Sequence, residues 1–152
     1  MANSRPSVSV VIPLYNKEDT IDRCLDSVFN QEYEDYELII VDDGSSDGGD
    51  KIAEKRVRPC DTFIRQENAG CGAARNRGWQ AASADLIAFL DADDEWLPHH
   101  LQTLADLREQ FPEAGLLAAG YRTIGRKGLI TETTIDGDSP RILDNYFRSA
   151  CT

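Results

Sequence analysis

The sequence has few of the residues that bind zinc and no long apolar segment. Its four cysteines form no CxxC pair and its two histidines are adjacent. A Cys/His zinc site is therefore not expected, whereas free thiols in a reducing cytoplasm are. No run approaches the ~20 apolar residues that span a membrane, and the first ten residues lack an apolar signal core. These absences predict a cytoplasmic domain, with a peripheral position at the inner face of the membrane left open for a longer protein.

Positive charge is also scarce. The chain has 16 lysines and arginines against 27 aspartates and glutamates, which gives a net charge of −11. This balance argues against a nucleic-acid backbone or an anionic membrane surface as a general partner. An anionic substrate would need a local arginine, backbone N–H groups or a bridging cation. With 152 residues, of which 41% are hydrophobic, the chain is long enough for one domain with a core.

Apolar runs alternate with helical patterns along most of the chain. Continuous β-branched runs such as VSVVIPLY are typical of strands that are buried on both faces of a parallel sheet. The alternation predicts an α/β fold with a mostly parallel sheet and helices on both faces, as in Rossmann-like domains. The expected strands are 8–15, 36–41, 61–66, 86–90 and 115–124, and the expected helices are 17–30, 50–57, 72–82 and 98–110.

Local signals refine three of the helices. Asn16 is predicted to cap the first helix, and Pro98 is expected at the first position of the fourth. In the third helix, Ala74, Gly78 and Ala81 are small enough to let the helix lie close to the sheet.

Polar residues follow three of the expected strands, at 13–16, 42–45 and 91–94. In an open parallel sheet, ligands collect outside the carboxyl ends of the strands. The three ends should open on one edge, and their convergence predicts a binding site there.

The fourth strand is followed by three carboxylates, Asp91, Asp93 and Asp94. Two like charges ~4 Å apart repel by ~4 kcal/mol at an effective dielectric constant of ~20, and one hard cation removes that repulsion. Mg²⁺ and Mn²⁺ prefer oxygen ligands and commonly complete their shell with water and substrate phosphate. The alternative is that the aspartates are solvated and cap the helix near Pro98, which explains Asp94 better than Asp91.

Three further residues suit a nucleotide. Asp43 could accept a hydrogen bond from a ring N–H of uracil, thymine or guanine, and Tyr15 could stack on that ring. Arg75, at the start of the third helix, could meet a phosphate with help from the helix N-terminus. The alternatives are a turn at Asp42 and Asp43, packing at the core edge for Tyr15 and an exposed helical position for Arg75. The glycines before Arg75 lack the third glycine of a dinucleotide fingerprint and do not follow the first strand.

Four stretches in this order resemble the family 2 glycosyltransferases, a large inverting group with the GT-A fold. They are VSVVIPLYNKEDTIDRCLDSVFNQ, YELIIVDDGSSDG, NAGCGAARNRGWQAASADLIAFLDADDEWLP and the helix after them, and they cover roughly residues 7–110. The resemblance implies transfer of a sugar from a nucleotide diphosphate sugar, with a UDP-sugar as the first expectation. Inversion, Mg²⁺ or Mn²⁺ as the cofactor, and a place in polysaccharide biosynthesis are implied in the same way. The acceptor would be a saccharide, a lipid-linked or another hydroxyl, and a homo-oligomer is left open.

The resemblance also implies roles for single residues. Six positions match nucleotide-sugar-binding residues of that family: Pro13, Tyr15, Asp43, Arg75, Asp91 and Asp93. The first two would line the base pocket, the third would contact the base, and Arg75 would lie near the nucleotide. Asp91 would face the ribose, and Asp93 would hold the metal with help from Asp91 or Asp94. Asp94 extends the DxD pair and is open to either task.

The family's fold is a nucleotide-binding half followed by a more variable acceptor-binding half. The resemblance therefore implies a single GT-A domain over 1–152, truncated, with a nucleotide-sugar-binding core at 7–115 and the start of an acceptor-side region at 116–152. In the latter, 126–128 predicts a turn and 141–147 a short amphipathic helix.

The general base of such an enzyme is an Asp or Glu that acts on the acceptor hydroxyl. No recognisable match follows Asp94, so the base is expected C-terminal to Thr152. A non-catalytic module that binds a nucleotide sugar or a partner chain is therefore one alternative. A haloacid-dehalogenase-like phosphatase is the other, because strand–Asp-x-Asp begins its nucleophile motif. That motif expects Thr or Val after the pair on an early strand, whereas here Asp94 and Glu95 follow the fourth strand.

Overall fold

A computed structural model of the chain describes residues 5–125 and 130–133. The described elements, in chain order, are β1 (Val8–Leu14), α1 (Ile21–Phe29), β2 (Tyr36–Asp42), α2 (Gly49–Arg56), β3 (Thr62–Arg65), α3 (Cys71–Ala81), β4 (Leu86–Phe89), α4 (His100–Gln110), β5 (Tyr121–Ile124) and β6 (Ile130–Thr133). The structure divides between Glu109 and Gln110 into two compact units, of which the first contains β1 to β4 and the second contains β5 and β6.

Strands β1 to β4 form one parallel sheet in the order β3-β2-β1-β4. Every residue of β1 is buried, as its continuous apolar run predicts for a strand with neighbours on both sides. Pro13 is tolerated inside this central strand because β4 pairs with β1 only as far as Val11, so its missing N–H leaves no ladder hydrogen bond unmade on that side. The α/β fold predicted from the sequence is confirmed.

Helices cover both faces of this sheet. Right-handed crossovers place α1 and α2 on one face, and because β4 lies on the other side of β1, they place α3 on the opposite face. Helix α1 buries Ile21, Cys24, Leu25 and Val28, which recur at helical spacing, and it packs against α2.

Helix α3 lies close to β1 and β2, as its small residues predict. Ala74 and Gly78 are buried, and a Cβ at Gly78 would lie 2.3 Å from Cγ1 of Val11. The prediction is wrong for Ala81, which is exposed. Ala82, four residues after Gly78, packs against the core instead, because residues four apart share one helix face.

The first helix starts later than predicted. Residues 17–20 form a turn in which the Lys17 carbonyl accepts from the N–H groups of Thr20 and Ile21, and the residue before the helix is Thr20. The prediction that Asn16 caps this helix is therefore wrong. Asn16 has a φ of 50°, a left-handed conformation that asparagine tolerates, and its side chain bonds to the loop after β2.

The fourth helix also starts later, at His100. Pro98 lies two residues before it, and the carbonyls of Leu97 and Pro98 accept hydrogen bonds from Gln31 Nε2 and the Glu32 N–H, just after α1. Asp94 lies six residues before the helix, which excludes the alternative that it caps this helix. Its backbone N–H instead closes a turn on the Asp91 carbonyl.

The fifth strand differs most from the prediction. Only Tyr121–Ile124 forms a strand, and it pairs antiparallel with β6 in a separate two-stranded sheet. Residues 115–120 are not a strand, since glycine and alanine are weak strand formers. The predicted turn at 126–128 and the predicted helix at 141–147 lie outside the described residues.

Three cysteines in the described part of the chain, Cys24, Cys60 and Cys71, are free, and the first is buried. Within residues 5–125 and 130–133, no helix is both long and apolar enough to cross a membrane.

Candidate functional site

A cleft of about 420 Å³ opens at the carboxyl edge of the parallel sheet. Its walls come from the ends of β1, β2 and β4 and from the start of α3: Pro13, Leu14, Tyr15, Lys17, Asp43, Asn68, Gly70, Cys71, Ala74, Asp91, Ala92 and Asp93. The structure thus brings the three polar strand ends together at one cleft. Of the candidate residues, Arg75 reaches the cleft through Asp91, and Asp94 is not among the lining residues.

Register places the first two strand ends side by side. Leu14 pairs with Asp42, and the N–H of Asp43 donates to the Leu14 carbonyl at 2.8 Å. Tyr15 and Asp43, the next residues of each chain segment, therefore enter the cleft as neighbours. Tyr15 is 48% exposed and lines the cleft, so it is not fully packed into the core.

Asp43 is the most deeply buried carboxylate of the site, at 2% exposure. Its Oδ1 accepts from Gln66 Nε2 at 2.7 Å and from the Ala69 N–H at 2.9 Å, and its Oδ2 accepts from the Gly70 N–H at 2.8 Å. Burial raises the pKa of this carboxyl, but the three hydrogen bonds outweigh it and hold the pKa below its usual range. Asp43 is thus an anion that fixes residues 66–70 against the end of β2.

The loop after β2 is tied to the loop after β1 and to itself. Asp42 Oδ1 accepts from the Ser45 N–H at 3.1 Å, which is the turn geometry expected of a strand-end aspartate. The Asn16 side chain accepts from the Ser46 N–H at 2.8 Å, and the Asn16 N–H donates to Ser45 Oγ. These bonds hold Tyr15 and Asp43 in one frame.

The backbone after β4 is held by helix α1. Three successive carbonyl oxygens accept hydrogen bonds from it and from its first flanking residue: Asp91 from Cys24 Sγ, Ala92 from Thr20 Oγ1 and Asp93 from Arg23 Nη2. Because these hydrogen bonds hold the main chain from the α1 side, the side chains of Asp91 and Asp93 remain available to line the cleft. Thr20, Arg23 and Cys24 were not predicted as site residues, although their spacing of three and four residues is that of one helix face.

The side chains of Asp91 and Asp93 each form an ion pair with a basic residue. Asp91 binds Nη2 of Arg75. Asp93 Oδ2 lies 2.6 Å from Lys17 Nζ. The hydrogen bond from Lys17 is the main reason why the pKa of Asp93 is lowered. Both carboxylates stay about half exposed, at 45% and 46%. Lys17 was also missed, since a lysine in a loop has no pattern of its own.

Asp94 differs from its two neighbours. Its pKa is raised, first by partial removal of the carboxyl from water and then by repulsion from Asp93 and Asp91. Burial and the two neighbouring carboxylates therefore disfavour the charged form of Asp94, and a cation bound nearby would favour it.

The donor set fits a hard divalent cation only in part. Carboxylate oxygens are the ligands that Mg²⁺ and Mn²⁺ prefer. Over the described ranges 5–125 and 130–133, however, no three His, Cys, Asp or Glu side chains are grouped closely enough to hold an ion. A cation here would have one or two protein ligands and take the rest from phosphate and water, the usual pattern for Mg²⁺ at phosphate sites.

Comparison with known proteins identifies the class. The model of the family described as glycosyl transferase family 2 matches residues 9–148. The chain belongs to this family, and this membership decides against the phosphatase alternative.

Curated relatives agree with this assignment. The chain is 41% identical over 118 residues to a putative glycosyltransferase, EpsH, of Bacillus subtilis, an alignment that covers 76% of this chain and 34% of that one. It is 38% identical over 139 residues to the glycosyltransferase AglE of Haloferax volcanii, which covers 80% and 46%. The chain thus spans about a third to a half of the length of these relatives.

Solved structures share the fold. S. aureus TarS 1-349 in complex with UDP-GlcNAc aligns with a TM-score of 0.65 at 25% identity, over 74% of this chain and 37% of that chain. The mannosyltransferase PcManGT of Pyrobaculum calidifontis, in complex with GDP-Man and Mn²⁺, aligns with a TM-score of 0.62 at 26% identity, over 78% and 35%. The mostly parallel sheet with flanking helices is therefore the GT-A-like arrangement expected from the sequence.

Proposed function

We propose that the cleft binds a nucleotide diphosphate sugar, a UDP-sugar first, and that the protein transfers the sugar to an acceptor hydroxyl with inversion. The observation that carries this proposal is the meeting of three groups in one cleft: the half-exposed Tyr15 ring, the buried Asp43 anion and the exposed pair Asp91 and Asp93. Two proteins with a similar fold were solved in complex with such donors, TarS 1-349 with UDP-GlcNAc and PcManGT with GDP-Man and Mn²⁺.

The nucleobase would occupy the side of the cleft formed by the ends of β1 and β2. Tyr15 would stack on the ring, a contact that tolerates any base. A carboxylate has about four acceptor positions, and Asp43 uses three of them within the protein. The fourth would accept a ring N–H, and the three internal bonds would hold the acceptor in place for it.

The sugar diphosphate would lie toward the end of β4. Asp91 would face the ribose and Asp93 would hold Mg²⁺ or Mn²⁺, with Asp94 adding negative charge beside them. When bound, such a cation would neutralise charge on the leaving diphosphate, which is Lewis-acid chemistry. Arg75, held beside the cleft by Asp91, would add a donor for phosphate oxygens.

Inversion requires a single displacement, in which the acceptor oxygen attacks the anomeric carbon opposite the leaving diphosphate while a base takes its proton. No residue of this chain is assigned as that base. We therefore assign only the donor-binding part of the reaction to the unit that contains β1 to β4. The domain roles of 7–115 and 116–152 stay predictions.

Calorimetric titration of the chain with UDP tests the donor site, with and without Mn²⁺. We expect binding that depends on Mn²⁺ in the wild type and that is lost in Asp93→Asn, because the amide cannot supply an anionic metal ligand. Glu95→Gln is the matched control: Glu95 is also half exposed and paired, with Arg23 at 2.6 Å, but it does not line the cleft. Equal affinities of Asp93→Asn and wild type in Mn²⁺ would contradict the metal assignment.

A second measurement separates an enzyme from a binding module. Incubation of the chain with a UDP-sugar and Mn²⁺ should release UDP slowly by hydrolysis if the reaction centre is intact. Binding without any release would favour the non-catalytic alternative for this chain.

A further inference from the structure

Lys17 has a role that the family resemblance did not assign. Of the described residues that line the cleft, it is the one with a basic side chain. Its ammonium lies 2.6 Å from Asp93 Oδ2, 76 residues away in sequence, and so joins the end of β1 to the end of β4 across the cleft.

The backbone of Lys17 is held by hydrogen bonds, whereas its side chain is partly exposed. Its carbonyl accepts from Thr20 and Ile21, and the next residue, Glu18, donates its N–H to Asp47 at 2.8 Å. The side chain is 39% exposed and ends a flexible four-carbon stem. The ammonium can therefore change partners while the main chain stays in place.

The ion pair is also easy to exchange. Both partners are well exposed, and exposed pairs of this kind are weak because water competes for each charge. A divalent cation on Asp93 would repel an ammonium only 2.6 Å from the same oxygen. Lys17 would then need another anion, and the diphosphate of a nucleotide is a suitable one, since lysine binds phosphate as a point charge.

We propose that Lys17 is an exchangeable phosphate ligand. In the empty cleft it neutralises Asp93; when the cation and the nucleotide diphosphate bind, the cation replaces it on Asp93 and the ammonium turns to the phosphate oxygens. No bond is made or broken and no proton moves. This proposal rests on the proposed function, because it requires the cation and the diphosphate to share the cleft.

Lys17→Met tests the exchange, since it removes the charge and keeps the length. Mn²⁺ binding is measured alone, from the electron paramagnetic resonance signal of free Mn²⁺, and UDP binding is measured by calorimetry in Mn²⁺. We expect Mn²⁺ alone to bind about two- to fivefold more tightly, because its competitor is gone. We expect UDP to bind about tenfold more weakly, because a charge-assisted phosphate contact is lost.

Two further variants keep the result specific. Lys51→Met removes the same charge at an exposed position of α2 outside the cleft and should match the wild type. Lys17→Arg keeps a positive charge and should retain competition with Mn²⁺. Thermal unfolding confirms that all three variants are folded.

The outcomes separate the two proposals. If the wild type binds UDP in Mn²⁺ and Lys17→Met has unchanged or weaker Mn²⁺ affinity, the exchange is wrong and the donor site stands. Tighter Mn²⁺ binding with unchanged UDP affinity also overturns the exchange, because the ammonium would have no second partner. A wild type that binds no UDP overturns both proposals.

Discussion

The ends of β2 and β4 both present aspartates to one cleft, but these aspartates differ in burial and in the kind of partner that they bind. Asp43 is buried and takes three hydrogen bonds from neutral donors. Asp91 and Asp93 are half exposed and take cationic side chains instead. Fixed neutral donors hold a carboxylate permanently, whereas exposed ion pairs are weak and exchangeable. The β2 end is thus built as a rigid wall, and the β4 end as a surface whose charges can change partners.

Helix α3 connects the two ends. The Gly70 N–H, just before the helix, donates to Asp43, and Arg75 in its second turn reaches Asp91. The position of α3 depends on close packing of Gly78 on Val11. Any change that lifts this helix should therefore affect both ends at once.

The largest expected effect is on stability at the β2 end. Asp43→Asn replaces one acceptor oxygen by an NH₂ group that faces other donors, so the free energy of unfolding should fall by about 2–3 kcal/mol. The same substitution at Asp93 should change it by less than about 1 kcal/mol, because that pair is exposed. Urea unfolding of both variants measures the contrast, and equal losses would abolish the distinction between the two ends.

The next effect concerns the helix that joins them. Gly78→Ala places a Cβ against the Val11 side chain and should cost about 1–3 kcal/mol of stability by overpacking. Gly72→Ala in the same helix is the matched control, since a Cβ there meets nothing within 4 Å. Thermal unfolding compares them, and a Gly78→Ala variant as stable as the control would show that α3 can move without cost.

Acid should remove the advantage of Asp43. Its pKa is lowered in the folded state, so its contribution is complete above the unfolded value of ~3.9 and is lost as the pH falls through the folded value. The stability difference between wild type and Asp43→Asn should therefore be constant near neutral pH and shrink below about pH 4. A difference that does not change with pH would mean that the charge of Asp43 is not what the loop requires.

The smallest perturbation uses two cysteines as reporters. Cys71 and Cys60 are both exposed, but only the former is among the lining residues of the cleft. UDP with Mn²⁺ at ~100 times its Kd leaves about 1% of sites empty and should slow alkylation of Cys71 strongly. Peptide mapping by mass spectrometry resolves the two sites; equal protection of Cys60, or none of Cys71, would place the nucleotide elsewhere.

Elements with a strong periodic pattern could be predicted from the sequence, whereas their starts could not. The buried run of β1 and the Ala74–Gly78 face of α3 are local features, and the structure confirms both. The predicted start of α1 was wrong because the Asn16 side chain accepts a hydrogen bond from Ser46, thirty residues away, and does not cap the helix. The predicted extent of the fifth strand was wrong because its apolar run contains weak strand formers. Its partner β6 has no clear strand pattern in the sequence.

Four of the polar residues that meet in the cleft could be predicted from the sequence. Parallel strands end on one edge, so the order of strands and helices was enough to bring Tyr15, Asp43, Asp91 and Asp93 together. How each of them is held could not be predicted. Burial and partners such as Gln66 and Lys17 come from distant segments, and no local pattern specifies contacts of that kind. The hydrogen bonds and ion pairs of each carboxylate therefore depend on packing that the chain acquires only when it folds.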